Sequence, residues 1–272
     1  MTKTQKIIKY VAIVLAICLA INIFTSVIGL VALIGGIDIK RDMVSNETTD
    51  FTVSDGIKNL DIEISAADLV IVSGESFSLT SNLKYLSVSE NGDTLRVSES
   101  KRLVGNRSGA TLTLTLPKDT TLERIEISTG AGRLTADKLS AERISLDLGA
   151  GAVTLNEITS TVETEINGGT GNIVIGGGSL RDADIDIGVG KLTLKAELLG
   201  DTNIDCGVGS TEIVVLGTKE DYRVEIDKGL GSATFDGIPM ADGIAYGSGS
   251  NRIDIDSGVG SMSLSFSEKT PE

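Results

Sequence analysis

The chain has 272 residues, including 32 glycines, three prolines, two cysteines and no tryptophan or histidine. Its formal charge is −14, and because the first 37 residues hold three lysines and no acid, the remainder carries −17. So acidic a body repels nucleic acid and bare anionic membrane, and the lone Cys18 and Cys206 with no histidine exclude a disulfide framework and a thiolate or imidazole metal centre.

Residues 1–10 read as a cytoplasmic N-terminus carrying Lys3, Lys6 and Lys9. Val11 to Ile37 is an apolar run broken only by Asn22, Thr25, Ser26 and glycines. About 20 residues at ~1.5 Å each cross a bilayer core, so 11–37 is long enough for a transmembrane anchor. The lysines before it place the N-terminus inside and the rest of the chain outside, a single-pass cell-membrane protein. A cleaved signal peptide is the competing reading, but the run exceeds the ~7–15 apolar residues of such a signal and no small-residue cleavage site follows it. A lipoprotein signal at Leu15-Ala16-Ile17-Cys18 has Ile17 where a small residue is needed. Residues 38–50 are polar and suit a short stalk.

From residue 51 to 123 the chain alternates without a strict repeat. Leu60 to Ile71 reads as a degenerate first coil, with Ala66-Ala67 near the corner position. Leu86 to Val97 reads as a hairpin around Asn91-Gly92. Thr111 to Leu116 alternates threonine and leucine as a half-buried strand that Pro117 ends. A stack of strands exposes its terminal edges, so this irregular stretch is the expected N-terminal cap with the first coils.

Residues 124–266 repeat one phrase: alternating apolar residues, an Asp, Gly-x-Gly, then alternation again. The glycine pairs are Gly130 and Gly132, Gly149 and Gly151, Gly169 and Gly171, Gly188 and Gly190, Gly207 and Gly209, Gly229 and Gly231, and Gly258 and Gly260. Successive leading glycines lie 19, 20, 19, 19, 22 and 29 residues apart. A period near twenty predicts an all-β, right-handed parallel β-solenoid with glycines at its corners. Three columns are expected to stack inside. Ile127, Leu146, Ile166, Ile185, Ile204, Ile226 and Ile255 form the first. Ala131, Ala150, Thr170, Val189, Val208, Leu230 and Val259, between the glycines, form the second. Ala136, Leu155, Ile175, Leu194, Ile213, Phe235 and Leu264 form the third. Residues 267–272 read as a C-terminal tail.

These glycine-punctuated repeats, with Leu114-Thr115-Leu116-Pro117-Lys118 before them and an anchored N-terminus, resemble the DUF4097 family of adhesin-like bacterial β-strand-repeat proteins. The resemblance covers about residues 50–266. It implies a right-handed parallel β-solenoid at a bacterial envelope, with a role in adhesion or in envelope-stress and antimicrobial-peptide response. It carries over no catalytic residue.

Asp147, Asp186, Asp205, Asp227 and Asp256, with Asn167 and Ser128, form a polar column two places before each leading glycine. One reading is a carboxylate ladder for Ca²⁺, with Asp186 and Asp205 as the candidate pair. The structural reading has these side chains accept backbone N–H groups at the corners, which Asn and Ser do equally well. Asp184, Asp186, Lys191 and Lys195 can be assembled into a carbohydrate-active group, but any solenoid surface offers such sets. Gly-x-Gly is no nucleotide fingerprint here, since no copy reaches a third glycine before a helix. The insert from Ile238 to Gly249 carries Pro239, Met240 and Tyr246, either as a contact loop or as a C-terminal capping loop. Together these features read as a non-enzymatic extracytoplasmic binding or scaffolding module without cofactor. The alternatives are a component that senses or sequesters cationic antimicrobial peptides, and a carbohydrate-active enzyme. Nothing in the pattern specifies a ligand or an oligomeric state.

Overall fold

The computed structural model describes residues 43–99, 106–240 and 243–268, and they form an all-β protein. Its strands are β1 (Val44–Thr52), β2 (Asn59–Gly74), β3 (Ser78–Leu83), β4 (Leu86–Asn91), β5 (Thr94–Glu99), β6 (Thr111–Pro117) and β7 (Leu122–Ile175). Then come β8 (Gly178–Arg181), β9 (Ala183–Leu199), β10 (Asp201–Leu216), β11 (Tyr222–Phe235), β12 (Ile238–Pro239), β13 (Ile244–Tyr246) and β14 (Asn251–Ser267). No helix among the described residues is long and apolar enough to cross a membrane. The expected anchor at 11–37 lies outside those residues, as do 1–10. Of the expected stalk, Val44 to Asp50 belong to β1, which pairs antiparallel with β3.

The repeats align phrase on phrase. β2 pairs in parallel with β7, Ala66 opposite Ala131 and Ala67 opposite Gly132. The third phrase of β7 pairs in parallel with β9, and β9 with β10, setting Ile166, Ile185 and Ile204 side by side. Residues of the first expected column are all buried, and those of the third are buried apart from the half-buried Phe235. Aliphatic side chains one per level therefore fill the interior, each fully buried one contributing about 1.5–3 kcal/mol.

The second expected column does not stack inside. Ala131, Ala150, Thr170 and Leu230 are exposed, and Val189, Val208 and Val259 are half-buried. At the corners neighbouring levels approach backbone to backbone: a Cβ built on Gly190 would fall 1.8 Å from Gly171 O, and one on Gly209 would fall 1.7 Å from Gly190 O. The turn sends the residue between the glycines to the outside, and period-2 alternation does not carry through it.

The order of levels also departs from the order of the sequence. β14 lies between β10 and β11, parallel to both, with Ile204 opposite Ile255 and Ile255 opposite Ile226. From β10 to β11 the chain must therefore rise two levels. The interval of 22 rather than 19 residues supplies three more, and the 3-10 turn Lys219–Asp221 occupies that connection. The interval of 29 holds β12, β13 and the return to β14.

At the N-terminal end two wings cover the edge of β2. β5 pairs with Asn59–Glu63 and carries β4, the hairpin turning at Gly92 with φ +66°. β6 pairs with Asp68–Gly74 and carries β3 and β1. Between the wings, at the corner of β2, the Ser65 N–H donates to Glu99 Oε2 at 3.0 Å, and Arg107 Nε donates to Glu99 Oε1 at 2.8 Å. Glu99 is buried, so its carboxylate stands where a neighbouring strand's carbonyl would otherwise satisfy that backbone group.

Candidate functional site

Alternation before each corner points every second side chain outward, and parallel register aligns those side chains from level to level. Asp186, Asp205, Asp256 and Asp227 thereby form one outward row, which Asn167 continues. Two residues earlier Glu165, Asp184, Asn203, Asp254 and Glu225 form a second row on the same face. Arg252 answers part of this charge, pairing with Asp254 and lying 3.8 Å from Glu225. Toward the N-terminal end the face is better balanced, with Arg96 3.2 Å from Asp61 and Arg124 2.6 Å from Glu126. There a shallow groove of about 230 Å³ is lined by Asp61, Glu63, Glu126, Ser128, Ser145 and Asp147 with Ile62 and Ile127.

Stacked carboxylates hinder one another's ionisation. Partial burial, then Asp256, Asp186 and Asp184, push Asp205 up to about 6. Burial and then Asp184 raise Asp186. Asp205, raised in this way, takes up a proton on mild acidification.

Asp186 and Asp205, the Ca²⁺ candidates, are directly opposite each other. Among the described residues, however, no three His, Cys, Asp or Glu side chains converge in a metal-holding arrangement. Asp147, Asp186, Asp205 and Asp227 also accept no hydrogen bond from a described corner backbone, so the expected turn-capping role falls elsewhere. Asp182 Oδ1 accepts from Asp201 N at 3.0 Å, and Asp236 Oδ1 accepts from Phe266 N at 3.2 Å. Both residues have positive φ, 42° and 47°, as Asp tolerates at tight turns. Lys191 lies past the corner and meets Glu212 at 3.7 Å, so it does not join Asp184 and Asp186 in a catalytic group.

The insert folds back along the outer edge of β11. Ile238–Pro239 pairs antiparallel with Thr234–Phe235, and Ile244–Tyr246 with Val224–Ile226. Met240 packs against the core and donates its N–H to Ala233 O at 2.9 Å. Tyr246 stacks on Phe235 at 5.0 Å, and Phe266 joins Phe235 at 5.9 Å and Tyr222 at 5.3 Å. Between β12 and β13, Lys228 Nζ donates to Gly231 O at 3.4 Å across the uncovered part of the strand. That role was legible in principle: the residues just before each leading glycine are Thr129, Leu148, Gly168, Ile187, Cys206, Lys228 and Ser257, with a single charge among them. The Glu99–Arg107 pair had no such signal, because neither residue sits in a repeat.

A family model described as Toastrack DUF4097 matches residues 57–237. No curated protein matches the chain. Among solved structures, a candidate cell adhesion protein of Clostridium sporogenes is 15% identical with a TM-score of 0.37, over 81% of this chain and 99% of its own. A candidate adhesin of Bacteroides fragilis is 14% identical with a TM-score of 0.39, over 80% and 96%. A candidate lipid binding protein of Parabacteroides distasonis is 16% identical with a TM-score of 0.43, over 82% and 99%.

Proposed function

The chain belongs to the Toastrack DUF4097 family, and from that premise we propose that it is a non-enzymatic binding or scaffolding module held outside the bacterial cell membrane. The observation that carries this reading is the acidic face, an array of aligned carboxylates that Arg252, with Arg223 opposite it in register, only partly neutralises. Parallel pairing of nearly every repeat supports a right-handed parallel β-solenoid of ~20-residue coils as its framework. Residues 11–37 anchor it as a single transmembrane segment with the N-terminus in the cytoplasm, which their length and the preceding lysines support. The partner is a cationic or cation-bridged envelope or surface component. The same rows of Asp favour a second reading, the capture of cationic antimicrobial peptides, whose attraction fades within about 10 Å at 0.1 M salt.

The test retains envelope fractions, glycans and a cationic peptide on the full chain in nanodiscs, at low and moderate salt. The comparison is a variant carrying Asp184→Asn, Asp186→Asn, Asp205→Asn and Asp254→Asn. Saturable retention that survives moderate salt and is lost in the variant supports the module. Retention of the peptide alone, fading with salt, supports the second reading. Retention unchanged by the substitutions refutes the face as the site.

A further inference from the structure

The slot between β10 and β11 is filled by β14, and the two strands that build the slot both precede it in sequence. We infer that β14 is an exchangeable strand, and that two copies of this chain can trade residues 236–268, each β14 occupying the slot of the other. The slot is specific. Its occupant must bring glycine at two positions, since a Cβ on Gly258 would fall 2.2 Å from Gly207 O and one on Gly260 would fall 1.7 Å from Gly209 O. It must also bring Ile253, Ile255, Met262 and Leu264, all buried. A second copy offers the same residues in the same register, so an exchanged β14 forms the contacts it forms in its own chain.

Three features favour exchange here over exchange at any other level. β14 is the last of the described strands, so no other described strand has to be unthreaded when it leaves. Its tether is short-paired: among the described residues between Phe235 and Asn251, backbone pairing to β11 is limited to the two-residue β12, the three-residue β13 and the bonds from Met240 N to Ala233 O and Gly249 N to Tyr222 O. The segment Ser257–Ser267 carries no charge and no proline, so once out of the slot it is an unguarded strand edge that seeks pairing. The alternative of stacking the levels in sequence order is disfavoured, because it would sandwich Lys228 between the Cys206 and Ser257 levels.

Register gives a direct trap, because Cys206 is opposite Ser257. The full chain carrying Cys18→Ser and Ser257→Cys is partly unfolded and refolded in detergent over a range of concentrations, oxidised, and run without reductant. Exchange predicts a reducible dimer joined between positions 206 and 257, with a dimer-to-monomer ratio rising about tenfold per tenfold concentration while dimer is the minor species. The link is identified by peptide mapping, and Cys206→Ser abolishes it. Links within one chain alone at every concentration overturn the exchange. Dimers joined 206 to 206 or 257 to 257 overturn it as well, since neither pair is opposed in the slot. As a second arm, deleting residues 244–248 in the same background shortens the return and raises the share of links joining position 206 of one chain to position 257 of another; a chain that folds and keeps its links within one chain overturns the proposal.

Discussion

Replacing Gly209 by alanine tests whether the corners are held backbone against backbone. Gly209 has φ +148°, and its added Cβ would fall 1.7 Å from Gly190 O. Restoring ordinary contact parts the two levels by about 1.5 Å, enough to break the N–H···O bonds on either side of the corner. The backbone strain is about 1–3 kcal/mol and the overpacking a similar amount. Together they destabilise by about 4 kcal/mol, a shift of about 1.3 M in urea at a slope of about 3 kcal/mol per M. Two controls separate these terms. Gly92→Ala meets open space at φ +66° and loses about 1 kcal/mol from backbone conformation alone. Gly56→Ala meets open space without positive φ and is neutral or gains up to about 1 kcal/mol. The assay is urea unfolding followed by far-UV circular dichroism. A Gly209→Ala midpoint no lower than that of Gly92→Ala would refute close stacking at the corner.

Glu99→Gln weakens the hold on Arg107 and on the Ser65 N–H, and about 3 kcal/mol of stability is lost; a urea midpoint within experimental error of the parent contradicts that role. Because the folded chain raises Asp205 from 3.8 to about 6, it holds a proton there that the unfolded chain releases. Asp205 therefore makes stability fall as pH rises from about 4 to 6, and Asp205→Asn removes that slope and is more stable than the parent at pH 7; parallel pH profiles would disprove the coupling. Lys228→Val strips the charge from the open part of β11, and light scattering then shows self-association increasing with concentration. A Lys228→Val chain that scatters as the parent does assigns the edge protection to β12 and β13 instead.

Much of the interior was legible because the phrase recurs at nearly constant spacing: Ile166, Ile185 and Ile204 had to be neighbours once successive coils paired in parallel. The same regularity concealed the placement of β14. Any two phrases can pair in the same register, so the repeat alone does not order the levels, and the longer intervals before Gly229 and Gly258, with the charge at Lys228, mark the exception. The residues between the glycines were misassigned because alternation was carried through a corner where the chain turns. The Asp rows were legible as a column. The raised Asp186 and Asp205 carboxyls depend on partial burial and on neighbours from other levels, which no single-chain pattern expresses.

The aromatic cluster at the C-terminal end gives the native protein a local spectroscopic reporter. The chain has no tryptophan and four tyrosines, at positions 10, 85, 222 and 246. Two of them belong to this cluster, Tyr222 against Phe266 and Tyr246 against Phe235. Tyrosine emission is thus weighted toward the last levels, whereas circular dichroism averages over every strand. In a stack stabilised mainly by nearest neighbours, the ends fray before the middle. Emission and dichroism traces that separate during denaturation would date the loosening of this end relative to the rest, with no label introduced.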